Sequence, residues 1–198
     1  MKHLKLFMIC LLTFAAPSFA EVSTWKFDTD HSSAQFKVQH MVITSVRGEF
    51  SDVKGTVLMD DQDLTRSSVE AVIAADSIST NNTKRDNHLK SADFFEVEKF
   101  PTLTFKSKKV TKEGEKSFKV LGDLTMHGIT KEVELSVNGP TQTIKDPWGN
   151  LRMGAQATTM VDRRDFGLTW NKFLETGGLV VGNEVEITID VELIRQKN

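Results

Sequence analysis

The residue types best suited to chemistry stand together in the segment Asp30-His31-Ser32-Ser33, because Ser, His and Asp form the relay of many hydrolases. Successive side chains of a strand point to opposite faces, so adjacent residues cannot assemble such a relay among themselves. The sequence also contains no G-x-S-x-G nucleophile elbow. We therefore predict no catalytic residues, and we expect His31 and Ser32 to form hydrogen bonds at the end of a strand.

Histidines could alternatively hold a metal ion. Four of them follow residue 20, namely His31, His40, His88 and His127, and none has the H-x-H or H-x-x-x-H spacing. The only cysteine is Cys10, so a zinc site would need histidines to converge with distant carboxylates. We predict no metal site and no cofactor.

The N-terminus has the pattern of a secretory signal peptide. Lys2 and Lys5 precede an apolar run over residues 6–16, and Ser18-Phe19-Ala20 offers small residues for cleavage after Ala20. We predict a signal peptide at 1–20 and a single domain at 21–198. The apolar run is too short to span a membrane. Because the exported part lacks cysteine, the Gram-negative periplasm is the expected location rather than a disulfide-rich extracellular setting.

Charge composition argues against a nucleic-acid partner. The chain has 25 Lys and Arg against 27 Asp and Glu, which gives a formal net charge of −2. These charges are scattered along the sequence, whereas proteins that bind DNA or RNA usually present a clustered basic surface.

Period-two alternation dominates the chain after residue 20. Near the C-terminus, apolar side chains alternate with polar ones at Val185, Ile187, Ile189, Val191 and Leu193. This rhythm recurs about eight times between turn residues, and it is typical of antiparallel strands with one dry face. One helix is predicted, opening at Thr83 as the cap with Asp86 completing a capping box, and ending near Ala92. The pattern predicts one all-β domain.

Eight alternating strands can form a packed sandwich, a packed barrel or a barrel that holds one small ligand. Small side chains on inward faces favour some empty space in the interior. Such residues are Ala71, Ala75, Ala155, Ala157 and Thr159.

Several motifs resemble those of the YceI-like family of exported bacterial proteins. They are "DTDHSSAQFKVQHM", "TNNTKRDNHLKSADFFEVEKFPTLTF", "LGDLTMHGITKEVELSV" and "RRDFGL", in that order. The resemblance covers essentially the whole chain after residue 20. It implies a lipocalin-like, eight-stranded antiparallel β-barrel whose interior holds a long-chain amphiphile such as a polyisoprenoid, an isoprenoid quinone or a fatty-acid derivative. It also implies a protein that is not an enzyme, and it makes a homodimer reasonable.

The aromatic and aliphatic residues of these segments are our candidates for lining the chamber. The alternative for each of them is an ordinary core contact, for example one that anchors the helix. The predicted ligand-binding residues are Phe36, Val38, His40, Phe50, Phe94, Phe95, Phe105, Leu124, Met126, Phe166, Leu168, Trp170 and Phe173.

Cations at the predicted mouth could receive a polar head group, since arginine pairs strongly with phosphate. The candidates are Arg85 and His88 on the helix, and Arg163 and Arg164 beyond a strand. Their alternative role is a solvated face or a structural salt bridge, such as Arg164 with Asp165.

The sequence therefore favours a carrier or storage protein that sequesters a long-chain amphiphile. Two rivals stay open at this point. One is an enzyme acting on such a lipid, with His40 and an acidic partner inside the barrel. The other is a packed stress-response module without a ligand.

Overall fold

Twelve strands and one α-helix make up the part of the chain that the structure, a computed structural model, describes: residues 22–175 and 177–197. The strands are β1 (Val22–Phe27), β2 (Ser33–His40), β3 (Thr44–Phe50), β4 (Val53–Asp60), β5 (Ser68–Ala74), β6 (Ile78–Ser79), β7 (Thr102–Lys112), β8 (Ser117–Met126), β9 (Ile129–Asn138), β10 (Ile144–Lys145), β11 (Leu151–Asp162) and β12 (Val181–Arg195). The helix α1 is Thr83–Lys90, and short 3₁₀ helices occupy Leu64–Arg66, Ala75–Ser77 and Arg163–Phe166. The predicted signal peptide lies outside the described residues.

Eight of these strands close into an antiparallel barrel, in the order β1, β4, β5, β7, β8, β9, β11, β12 and back to β1. Closure depends on the long strand β12. One of its edges pairs with β11, from Arg152 opposite Ile194 to Asp162 opposite Glu184. Its other edge pairs with β1 near the C-terminal end and with β2 along the N-terminal part. The prediction of an all-β, eight-stranded antiparallel barrel with one inserted helix is confirmed.

The alternation in the sequence decides which side chains face the interior. On β12, Ile187 lies opposite Phe36 of β2 and Ile189 lies opposite Ala34, and these residues pack in the core. The intervening residues face outward, where the Glu186 carboxylate accepts a hydrogen bond from the Lys37 ammonium at 2.8 Å. Strands β2 and β12 thus have the dry face and the wet face that their sequences predict.

The residue that caps helix α1 lies one position earlier in the chain than the sequence predicted. The cap is Asn82, whose extended backbone lets its side-chain oxygen accept a hydrogen bond from the Arg85 amide at 3.0 Å. The prediction that Thr83 caps the helix was therefore wrong, because Thr83 is already the first helical residue. Asp86 instead accepts from the Thr80 amide at 2.8 Å, which ties the helix to the end of β6.

Close packing in the barrel wall requires glycine at one position in particular. The Phe105 ring of β7 lies over Gly122 of β8, and a Cβ at Gly122 would come within 2.5 Å of that ring. The same Cβ would lie 2.6 Å from the Lys106 carbonyl oxygen, which is also too close. Glycine therefore lets the Phe105 ring reach inward across the neighbouring strand.

None of the helices within the described residues is long and apolar enough to cross a membrane.

Candidate functional site

The barrel encloses an elongated apolar cavity of about 300 Å³. All eight barrel strands contribute side chains to its lining, together with β2, β3, α1 and the segment that follows α1. On β12 alone the lining runs from Val181 to Leu193, which is roughly 40 Å of strand at about 3.3 Å per residue. With the tilt usual for barrel strands, this corresponds to roughly 30 Å along the barrel axis.

Small inward side chains leave the space that the cavity occupies. Ala71, Ala155, Ala157 and Thr159 all line it, as the sequence predicted for inward small residues. Ala75 does not, because it is fully buried in a 3₁₀ helix within the packed core. The barrel is thus hollow along its middle rather than filled by its own side chains.

Most of the predicted ligand-binding residues lie on this cavity. Those that line it are Phe36, Val38, Phe50, Phe94, Phe95, Phe105, Leu124, Met126 and Leu168. Their role in binding stays a prediction, whereas their placement is a property of the fold. Sequence reasoning did not select other lining residues, among them Phe27, Val53, Leu103, Phe118 and Val120. The strand alternation was the signal that could have found them.

Phe94 and Phe95 join the helical segment to the cavity. Phe94 is buried and meets the His88 ring edge-on, with centroids 5.1 Å apart. Phe95 stands edge-on to Phe50, with centroids 5.5 Å apart, and Phe50 in turn contacts Phe36 at 5.9 Å. The charged helix therefore ends in two aromatic side chains because this segment covers an apolar space.

Four residues predicted to line the cavity lie elsewhere. Phe166 is 1% exposed and packs in the core, whereas Phe173 is 86% exposed. Trp170 packs outside the cavity lining against the rings of His88 at 4.8 Å and Phe94 at 5.3 Å. These three belong to the described residues between β11 and β12, which form no regular strand that would make their side chains alternate between faces. His40 is half-buried at the end of β2, beyond the last lining residue of that strand.

The predicted head-group cations are engaged within the protein. Arg85 donates to the Thr80 hydroxyl at 2.7 Å, and His88 contacts the Asp93 carboxylate at 2.8 Å. Arg164 pairs with Asp162 rather than with the predicted Asp165. These three side chains do not line the cavity.

Arg163 differs from the other cations because it is buried and touches the cavity. It is only 4% exposed, and among the described residues that line the cavity it has the one charged side chain. Its guanidinium donates to the carbonyls of Gly182, at 2.8 Å, and of Leu168. Burial lowers its pKa from the usual value for arginine. The sequence predicted Arg163 as a head-group cation at the mouth. The structure buries it at the cavity wall, where its donors fasten the segment before β12, and its contact with a ligand stays a prediction.

A second cluster of ionisable groups lies outside the cavity. Asp28, His31 and Glu192 offer atoms within 4.8 Å of one another, a spacing that could suit a cation. The Arg152 guanidinium, however, donates to both Asp28 and Glu192, and its Nε donates to Asp146 at 2.6 Å. Arginine thus already supplies the positive charge that these carboxylates require.

The pKa values in this cluster reflect its hydrogen bonds. Burial opposes ionisation of Asp28, but hydrogen bonds from His31 and Arg152 outweigh it and lower the pKa to about 2. The same holds for Asp146, where hydrogen bonds from Arg152 and Asn150 overcome burial and lower the pKa to about 2. The hydrogen bond to Asp28 raises the pKa of His31.

His31 and Ser32 have the hydrogen-bonding role that the sequence predicted. The His31 Nδ1 lies 3.0 Å from the Asp28 carboxylate. The Ser32 hydroxyl oxygen accepts from the Glu192 amide at 3.2 Å. The first contact closes the loop between β1 and β2, and the second fastens the residue before β2 to β12.

Known proteins share this sequence and this fold. A UPF0312 protein of Staphylococcus aureus is 36% identical over 173 residues, which is 86% of this chain and 97% of that protein. The crystal structure of BcnA from Burkholderia cenocepacia superposes with a TM-score of 0.73 at 19% identity, covering 84% of this chain and 98% of that one. A polyisoprenoid binding domain from Saccharophagus degradans superposes with a TM-score of 0.62 at 16% identity, covering 87% of this chain and 98% of that one.

The family resemblance predicted from the motifs is confirmed by a family model. The model of the YceI-like domain matches residues 25–193, which is nearly all of the barrel from β1 to β12. With this match and the S. aureus relative, the chain belongs to the YceI-like family.

Proposed function

We propose that this protein binds one long-chain amphiphile inside its barrel and acts as a carrier or storage protein rather than as an enzyme. The observation that carries this proposal is the apolar cavity of about 300 Å³. Protein interiors are normally close-packed. At about 24 cal/mol per Å³, leaving such a cavity empty costs on the order of 7 kcal/mol, which is comparable to the stability of a whole domain. A bound chain offsets that cost.

The shape of the cavity favours a single extended chain. Its volume lies at the lower end of the range for ligand pockets, yet it extends roughly 30 Å along the barrel. Each buried CH₂ contributes about 0.8 kcal/mol, against roughly 4–15 kcal/mol for immobilising a ligand. A tail of about ten carbons therefore only breaks even, and longer tails bind with a net gain.

The chemical class that fits is a polyisoprenoid, an isoprenoid quinone or a fatty-acid derivative. The Saccharophagus degradans domain of the same fold is named for polyisoprenoid binding, which supports the first of these. Arg163 touches one end of the cavity, so a head group with oxygen acceptors would lie at that end.

The proposal places this activity in the periplasm, because the N-terminal sequence has the features of a signal peptide. A water-insoluble chain could cross that aqueous compartment only if its apolar surface were covered. A homodimer is compatible with this role and is part of the proposal as an expectation.

Native mass spectrometry of the protein purified gently from its own host, followed by organic extraction, tests the proposal. We expect one long-chain molecule per chain, released chemically unchanged. A protein that is empty when purified and stays empty after incubation with isoprenoid and acyl lipids would overturn the proposal in favour of a packed module. Conversion of an added lipid into a new product would instead favour an enzyme.

A further inference from the structure

Two neighbouring loops at one end of the barrel expose large apolar side chains. We call this set the apolar tip: Met41, Val42 and Ile43 between β2 and β3, and Phe173 in the loop before β12. Their exposed fractions are 37%, 62%, 82% and 86%. The two loops are held together, because the Met41 amide donates to the Val180 carbonyl at 2.8 Å. The four side chains therefore lie on two adjacent loops.

The turn in the apolar tip holds two residues with large side chains in a backbone conformation that such residues rarely adopt. The turn is closed by the Ile43 amide, which donates to the His40 carbonyl at 3.2 Å. Its two central residues, Met41 and Val42, have φ values of 53° and 63°. A hairpin turn with two positive φ values normally carries Asn-Gly, and a β-branched residue rarely adopts this conformation. The fold alone would favour small polar residues here, so the apolar side chains need another reason.

The apolar tip continues directly from the cavity wall. His40, next to the tip, pairs with Val181, and Val181 and Val38 both line the cavity. The exposed Trp148 at the far end of β12 is a different case. Its turn has Gly149 at the positive φ and the Asp146 carboxylate accepting two turn amides, which is ordinary turn chemistry. Of these two sites, only the apolar tip combines a strained backbone, exposed apolar side chains and proximity to the cavity.

We propose that the apolar tip inserts into the surface of a lipid bilayer, where the barrel exchanges its chain. This inference rests on the proposed function, because a long-chain cargo is stored in bilayers and must leave one to enter the barrel. A second copy of the chain fits poorly. A stable dimer buries roughly 800 Å² per partner in complementary faces, whereas the tip consists of only four exposed side chains on two loops. Side chains of this kind bind by entering the acyl boundary of a membrane.

Co-flotation with phosphatidylcholine vesicles tests the insertion. All samples are the processed protein, with intact mass confirming the same N-terminus, and circular dichroism confirming the fold. The test variant is Ile43→Ser with Phe173→Ser. The control is Trp148→Ser, which removes a similarly exposed aromatic side chain at the other end of the barrel. We expect about tenfold weaker vesicle binding for each apolar side chain removed from the tip, and unchanged binding for the control.

Three results would overturn the inference. The first is a wild-type protein that does not float with vesicles. The second is equal loss of binding in the test variant and the Trp148→Ser control. The third is binding that disappears when salt is raised from about 0.05 M to about 0.5 M, because salt screens charge contacts but not apolar insertion.

A variant that repairs the turn separates docking from folding. Met41→Asn with Val42→Gly supplies the residues that this turn prefers, so we expect Tm to rise by about a few degrees while vesicle binding falls. Unchanged vesicle binding in this variant would contradict the inference. Organic extraction of the same samples reports the cargo independently. A protein that contains lipid but does not bind vesicles would disprove membrane docking and leave the proposed function intact. A protein that contains no lipid but floats with vesicles would disprove the proposed function and leave docking intact.

Discussion

The ring of Phe95 stands edge-on against the ring of Phe50, with centroids 5.5 Å apart. Phe50 ends strand β3 and Phe95 follows helix α1, so this contact fastens the helical segment to the barrel beside the cavity. Edge-on aromatic pairs contribute about 0.5–1.5 kcal/mol beyond the apolar area that they bury. We therefore expect this contact to strengthen the attachment of the segment over the cavity.

We predict that Phe95→Ala speeds release of the cargo. Losing a half-buried ring should cost about 1–3 kcal/mol, with part of the loss appearing as easier opening of the segment. The measurement is the rate at which lipid bound to the protein is transferred to acceptor vesicles. Phe100→Ala is the control, because the Phe100 ring packs on His127 at 4.6 Å and does not line the cavity. Equal release rates for the two variants would contradict the prediction.

Filling the cavity should exclude the chain without unfolding the barrel. Ala157 of β11 lines the cavity, so Ala157→Phe places a ring where the cargo would lie. We expect native mass spectrometry to show that this variant is empty. Its Tm should be at least as high as that of wild-type protein from which the lipid has been extracted. Gln156→Phe is the matched control, since Gln156 is the adjacent residue and is exposed on the outer face. Full occupancy in Ala157→Phe would refute the placement of the cargo.

Arg163→Lys should destabilise the protein despite keeping the charge. Lysine cannot reproduce the fork of donors that reaches the carbonyls of Gly182 and Leu168. Buried carbonyls left without partners should cost about 2–4 kcal/mol, measured by urea unfolding. Arg164→Lys changes only an exposed pair with Asp162 and should cost under about 1 kcal/mol. Equal stabilities of the two variants would show that the carbonyl contacts of Arg163 contribute little.

Acid should weaken the protein through Asp28 and Asp146. Their pKa values of about 2 lie below the usual value of about 4 for aspartate. Folding then favours the ionised forms, so their contribution is present above pH 4 and is lost as pH falls toward 2. We expect Asp146→Asn to flatten the decline of Tm between about pH 4 and pH 2. A decline as steep in Asp146→Asn as in the wild type would contradict the prediction.

His31 should act in the opposite direction at higher pH. Its pKa is raised by the hydrogen bond to Asp28, so folding favours the protonated ring. This contribution is complete below the usual histidine value of about 6.5 and is lost as pH rises through the raised pKa. His31→Gln should therefore remove a decline of Tm on the alkaline side of about pH 6.5. A wild-type Tm that does not fall in that window would disprove the linkage.

The sequence by itself determined the strands and which of their faces are dry. In β12 the alternation of Ile187 and Ile189 with polar neighbours was enough, because side chains of any strand alternate with a period of two. The same logic placed Ala155 and Ala157 inside, and the motifs predicted the barrel that the structure has. Local pattern suffices where the backbone is regular.

Only the tertiary structure decided the burial and the contacts of residues that lie outside the regular strands. Phe166, Trp170 and Phe173 have similar apolar character, yet one is in the core, one packs on His88 and one is exposed. The contact between Arg152 and Asp28 likewise joins residues that are 124 positions apart in the chain. Without a backbone period, the environment of a side chain is set by its long-range neighbours, and those neighbours are known only once the barrel has closed.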